Sequence, residues 1–85
     1  MNRSYVDSLQ QGVRTIASNL DAHWFVMNHP EIAEEQRHFD ATWYGGMTSA
    51  LIALGGDYQR DKKGHHRVFL AGLSSRDTDE FEKEV

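Results

Sequence analysis

The chain has no cysteine among its 85 residues. That excludes disulfides, thiolate metal sites and cysteine nucleophiles together, and the expectation is a cytoplasmic protein stabilised by packing or by self-association. Basic residues are also scarce: nine lysines and arginines against thirteen aspartates and glutamates leave a formal charge of −4. A general nucleic-acid binder would usually be basic, so nucleic acid is not the expected partner. Long apolar runs are missing too. The longest, around Met47 to Leu54, is interrupted by Thr48 and Ser49 and is too short to span a bilayer, so no membrane partner is expected. At the N-terminus Asn2-Arg3-Ser4-Tyr5-Val6-Asp7 turns polar at once, unlike the basic-then-apolar order of a secretory signal. With no internal repeat, low-complexity tract or linker, residues 1–85 read as a single domain. A domain this small hides only about 60 to 65% of its unfolded surface, so a lone monomer is marginally stable.

What the chain does have is helical periodicity. Tyr5, Leu9, Val13, Ile16, Leu20, Trp24 and Met27 recur at steps of three and four, which predicts an amphipathic helix over about 4–28, with Ser4 and Asp7 as its N-terminal cap signal. Pro30 pushes the residue before it out of the helical region and suits the first turn of a second helix, over about 30–54, that ends at Gly55-Gly56. So short a connection predicts an antiparallel helical hairpin. On the second helix Ile32, Phe39, Trp43, Met47, Leu51 and Leu54 have the spacing of one buried face. A parallel row of small residues, Thr42, Gly45, Ser49 and Ala53, suggests close helix packing, unless Gly45-Gly46 kinks or ends the helix.

Downstream, Asp57-Tyr58-Gln59-Arg60 and His65-His66-Arg67-Val68-Phe69-Leu70 flank Asp61-Lys62-Lys63-Gly64, whose Asp-first, Gly-last order suits a type I turn with a left-handed glycine. This predicts a β-hairpin over about 57–70, the only sheet expected, resting on the helices through Tyr58, Val68 and Leu70. Ser74 with Asp77 would cap a short acidic helix or tail over about 75–85. The fold class is therefore mainly α: an antiparallel pair of long helices with a small β-hairpin and a short C-terminal helix.

The segment Gly46-Met47-x-x-Ala50-Leu51-x-x-Leu54-Gly55-Gly56-Asp57-Tyr58-x-Arg60-Asp61-x-x-Gly64-x-His66 resembles one found in small proteins encoded by phages and prophages of Gram-positive bacteria. It covers about a quarter of the chain, with Gly56 standing where larger residues are expected. The resemblance implies a bacterial or phage accessory protein with a host protein as a partner, and it carries over no catalytic residue.

No cofactor and no enzymatic activity are expected, because the titratable residues do not converge on a recognisable set and no glycine-framed serine marks a nucleophile. The aromatic content says more. Trp24 with Phe25, and Trp43 with Tyr44, point about 100° apart on their helices, so one helix-to-helix contact cannot cover both. The expected function is protein–protein contact, including a homodimer, with Trp24, Trp43, Tyr44 and Met47 as contact or core anchors and Gly45, Ser49 and Ala53 as the close-packing row. Two alternatives compete. Glu35 and His38 have the Glu-x-x-His spacing of carboxylate-bridged di-iron bundles, a metal-binding reading. Arg60, Lys62, Lys63 and Arg67 form a basic turn that could meet phosphate.

Overall fold

In the computed structural model, which describes residues 3–76, two long helices pair and a small sheet lies across them. Helix α1 runs Arg3–Met27 and α2 runs Glu34–Ala53; strands β1 (Asp57–Arg60), β2 (His66–Leu70) and β3 (Leu73–Ser74) follow. The mainly α class and the helical hairpin are therefore as expected. The expected helix within 75–85 falls largely outside the described residues, and Ser74 belongs to β3, so it does not cap a helix.

Helix α1 buries Val13, Ala17 and Leu20, with Ile16, Trp24 and Met27 half-buried beside them, so its predicted face is the real one from the second turn onward. Tyr5 is exposed, and Ser4 lies inside the helix, so the expected cap is not formed there. The helix stops one residue short of Asn28, whose backbone N–H still reaches the Trp24 carbonyl at 3.2 Å. Pro30 does not open the next helix. It sits in a turn closed by the Ile32 N–H on the His29 carbonyl at 3.1 Å, and α2 begins only at Glu34. Glu34 and Glu35 then occupy the first turn, where the helix dipole favours negative charge.

Helix α2 continues unbroken through Gly45-Gly46. It ends in a Schellman motif: Gly55 has φ +86°, its N–H bonds the Ile52 carbonyl, and the Gly56 N–H bonds that of Leu51 at 2.9 Å. Gly56 is required for a separate reason, since a Cβ there would stand 2.7 Å from the Phe69 carbonyl oxygen and 2.6 Å from Leu51 Cδ1.

The hairpin forms as read. Arg60 pairs with His66 and Asp57 with Phe69, and Gly64 takes φ +89° at the end of the turn. Gly64 is also close-packed, because a Cβ would stand 2.7 Å from Trp24 Cδ1. Val68 is fully buried in the core, with Tyr58, Leu70 and Leu73 packed around it. One element was not expected: β3 adds to β2 through Leu70–Leu73 and Phe69–Ser74, giving a three-stranded antiparallel sheet in the order β1-β2-β3.

Candidate functional site

The buried face of α2 is not the apolar row of the sequence. It consists of Asp40, Tyr44, Thr48 and Leu51, while Phe39, Trp43 and Leu54 are exposed at 55%, 53% and 73%. Asp40 and Tyr44 turn inward because each finds a partner distant in sequence. The Thr48 hydroxyl is the exception, satisfied within its own helix by the Tyr44 carbonyl at 2.9 Å.

Tyr44 meets His66, which is wholly buried. The Asp21 carboxylate can only accept, and its Oδ1 lies 2.9 Å from His66 Nδ1 and 2.6 Å from the His66 backbone nitrogen. Nδ1 therefore carries the proton, and Nε2 accepts from the Tyr44 hydroxyl at 2.8 Å. The rings of Trp24, Tyr44 and Tyr58 surround this imidazole with centroids 6.2, 5.4 and 6.1 Å away, and the Arg60 guanidinium lies 3.8 Å over the Trp24 ring. Burial pushes the Tyr44 phenol above its ordinary pKa, opposed by the hydrogen bond and charge of Arg60. An Asp–His–Tyr chain invites a catalytic reading, but its central imidazole is sealed from any substrate. What it does is tie α1, α2 and β2 together.

Asp40 meets His23. Its Oδ1 accepts from His23 Nδ1 at 2.7 Å and its Oδ2 from Gln36 Nε2 at 2.6 Å, and these two bonds hold the carboxyl below its usual pKa against the opposing effect of burial. The His23 ring lies nearly parallel to the Trp43 indole, 9° between planes with centroids 6.2 Å apart.

That contact leads to the outer surface of α2, where Phe39, Trp43, Gly46, Ala50 and Leu54 follow at steps of four, three, four and four as a second stripe. Trp43 and Met47 form a ridge along it. On one side is an open cleft of about 320 Å³ lined by Thr42, Gly46 and Ala50 beyond the ridge; on the other, one of about 390 Å³ is walled by Asn19, His23 and Phe39. Between His38 and Asp57 the only formally charged residue is Asp40, which is buried, so the outer face of α2 carries no charge from Phe39 onward.

The predicted anchors thus divide. Tyr44 is buried, Trp24 and Met47 are half-buried against the core, and Trp43 is half-exposed on the outer face. The small row Gly45, Ser49 and Ala53 is exposed, and nothing lies within 4 Å of a Cβ built on Gly45. Of the two contacts such a row could make, it does not make the one between α1 and α2, where the inner stripe that holds Tyr44 has that place. The basic turn is also not one patch: Arg60 covers Trp24, while Arg67 lies 4.7 Å over Phe69 and bonds Ser74 Oγ at 2.9 Å, leaving Lys62 and Lys63 at the exposed tip. Asp61 shapes that tip, its carboxylate accepting the Lys63 and His65 backbone N–H groups at 2.9 Å. Glu35 and His38 are both exposed, and among the described residues no three His, Cys, Asp or Glu stand close enough to share a metal ion. Nor is any helix of the described residues long and apolar enough to cross a membrane.

Sequence reasoning missed Asp21, Asp40, His23 and His66 as a set. A signal existed: Asp21 follows Leu20 on the apolar face of α1, and Asp40 is the one charge in an otherwise uncharged half-helix. A charge in such a position predicts a buried partner.

The chain matches no protein-family model, no curated protein and no solved structure. Its functional reading rests on the geometry above.

Proposed function

We propose that the protein is a non-enzymatic accessory protein that acts through protein–protein contacts made by the outer face of α2. The observation that carries this reading is the half-exposed Trp43 ridge with Phe39, set between two clefts on a helix face without charge. Aromatic anchors at the centre and depletion of charge are what distinguish interface cores from the rest of a protein surface. Phe39, Trp43 and Leu54, large apolar residues exposed together on one helix face, make the kind of contiguous patch that in small domains is often functional. The two histidine-centred networks support the reading indirectly: His66 is inaccessible, and the Asp40–His23 pair braces the ridge from beneath. A bacterial or phage setting, with a host protein among the partners, is implied by the resemblance over residues 46–66 and belongs to the same proposal, as does a homodimer in the cytoplasm.

Trp43→Glu tests it. The position is half-exposed, so the variant should keep its far-UV circular dichroism and unfold within about 1 kcal/mol of the parent. It should lose association, whether with itself or with bacterial proteins retained on the immobilised full chain. Association indifferent to Trp43→Glu in a folded variant would sink the proposal.

A further inference from the structure

We infer that the occupant of the outer α2 face is a second copy of this chain, docked about a two-fold axis with the helices crossing at Gly46. This deepens the reading above and rests on it. The face is self-complementary in a specific way. The Trp43 ridge and the cleft floored by Gly46 and Ala50 stand about one helical turn apart on the same helix. In a two-fold contact, if one residue of the first copy meets another of the second, the reverse contact is made too, so one placement seats each indole in the other copy's cleft. Gly46 floors the cleft beside the ridge, and among the described residues nothing is within 4 Å of a Cβ built there. The backbone is therefore open at the one point where two helices must come nearest, and helices with small residues at the crossing reach the short end of the usual 8–10 Å separation.

Charge points the same way. Partners of an acidic protein are commonly selected by opposite charge around the contact, and this face offers none from Phe39 to Leu54. A copy of the same uncharged face is met without leaving any ion unpaired. Area bounds the size of the contact. Phe39 and Trp43, each about half exposed, contribute roughly 100 Å² apiece. With Leu54, Met47, Ala50 and the polar margin the face supplies roughly 500–700 Å² per copy, just below the ~800 Å² per partner of a standard interface. A contact at the small end of the standard range suits a reversible dimer, whose dissociation constant the concentration series reads.

The absence of cysteine makes the geometry directly testable. The full-length chain is examined by sedimentation equilibrium from low micromolar to several hundred micromolar, beside Gly46→Leu, Trp43→Glu and, on another side of α2, Ile52→Ser. The parent should pass from 9.7 kDa to twice that mass; the first two variants should raise the dissociation constant at least tenfold, and Ile52→Ser should leave it within about twofold. Gly46→Cys under mild oxidation should form an intermolecular disulfide, because the two Cα atoms at the crossing fall near the 4.4–6.8 Å a disulfide spans, whereas Ser18→Cys on the exposed side of α1 should not. A dimer that ignores Gly46→Leu and Trp43→Glu, or that cross-links equally from Ser18→Cys, overturns the proposed mode. A parent that stays monomeric overturns the second copy as occupant. If that monomer still retains a bacterial protein in a Trp43-dependent way, the binding-face reading stands alone; if it retains none, both fall.

Discussion

His66 shows how one residue can tie three elements together at a single buried point. Its backbone belongs to β2, its Nδ1 is fixed by Asp21 of α1 and its Nε2 by Tyr44 of α2, with none of its imidazole in contact with solvent. Removing one partner from such a chain leaves a buried polar atom unpaired, which costs about 1–3 kcal/mol. Tyr44→Phe is the cleanest case, since it deletes only the hydroxyl that donates to Nε2; urea unfolding should show a loss in that range with an unchanged m-value. The pH dependence has a definite sign. Burial raises the Tyr44 pKa in the folded state, so its contribution is complete below the ordinary tyrosine value near 10 and is lost as pH rises through the higher folded value. The parent should therefore lose stability in this alkaline window more steeply than Tyr44→Phe, which a denaturation series between pH 8 and 11.5 would resolve. Equal slopes would place the alkaline loss elsewhere in the molecule.

At the scale of elements, local signals decided what each segment became and distant partners decided which way it faced. The two helices, the Schellman end at Gly55-Gly56 and the Asp61–Gly64 turn are all written in short-range chemistry, and all were legible. The orientation of α2 was not. Periodicity alone ranked Phe39, Trp43 and Leu54 as the inner face, because those residues are large and apolar; Tyr44 and Asp40 took the interior because His66 and His23 complete their hydrogen bonds, and those residues lie 22 and 17 positions away. The outer stripe then became the candidate site, so the sequence named Trp43 and Met47 as anchors but could not say that their row faces outward. Strand β3 escaped for a different reason. Its two-residue connection to β2 is Ala71-Gly72, with φ +53° and +79°, the two positive values that a type I′ turn requires. The usual signature of that turn is Asn-Gly, and alanine in the left-handed region is strained by about 1–2 kcal/mol per residue. Ala71→Asn should accordingly raise stability by roughly 0.5–1 kcal/mol. A rise in melting temperature with an unchanged circular dichroism spectrum would confirm the turn; a fall would mean the Ala71 methyl has packing value that its exposure does not suggest.

For the molecule as a whole, stability and association are linked quantities. The described core is small, with Val13, Ala17, Leu20, Tyr44, Leu51 and Val68 as its buried members, while a second apolar stripe on α2 is left exposed among the described residues. If a second copy covers it, every dimer formed removes folded monomer from the unfolding equilibrium. Because the free monomer is itself depleted by dimerisation, the gain per chain grows as about half of RT ln of the total concentration over Kd, roughly 1.6 kcal/mol when that concentration is a hundred times the dissociation constant. A domain of this size shifts its melting temperature by roughly 4–8 °C per kcal/mol, so the midpoint should climb by roughly 5–10 °C between low micromolar and near-millimolar protein. Salt should act in the same direction. Each copy carries −4, so two copies repel across a contact face that has no charge of its own, and screening that repulsion tightens association without weakening any ion pair in the interface. Raising ionic strength from about 20 to 300 mM should therefore increase the melting temperature more at high protein concentration than at low. Scanning calorimetry over that grid, repeated with Trp43→Glu, separates the two contributions. The parent should show both dependences and the variant should lose the concentration dependence, leaving a single curve at every protein concentration. A parent melting temperature that is flat across the concentration range would mean that the outer stripe of α2 stays open to solvent under these conditions, and that its small, marginal core is all that holds this fold.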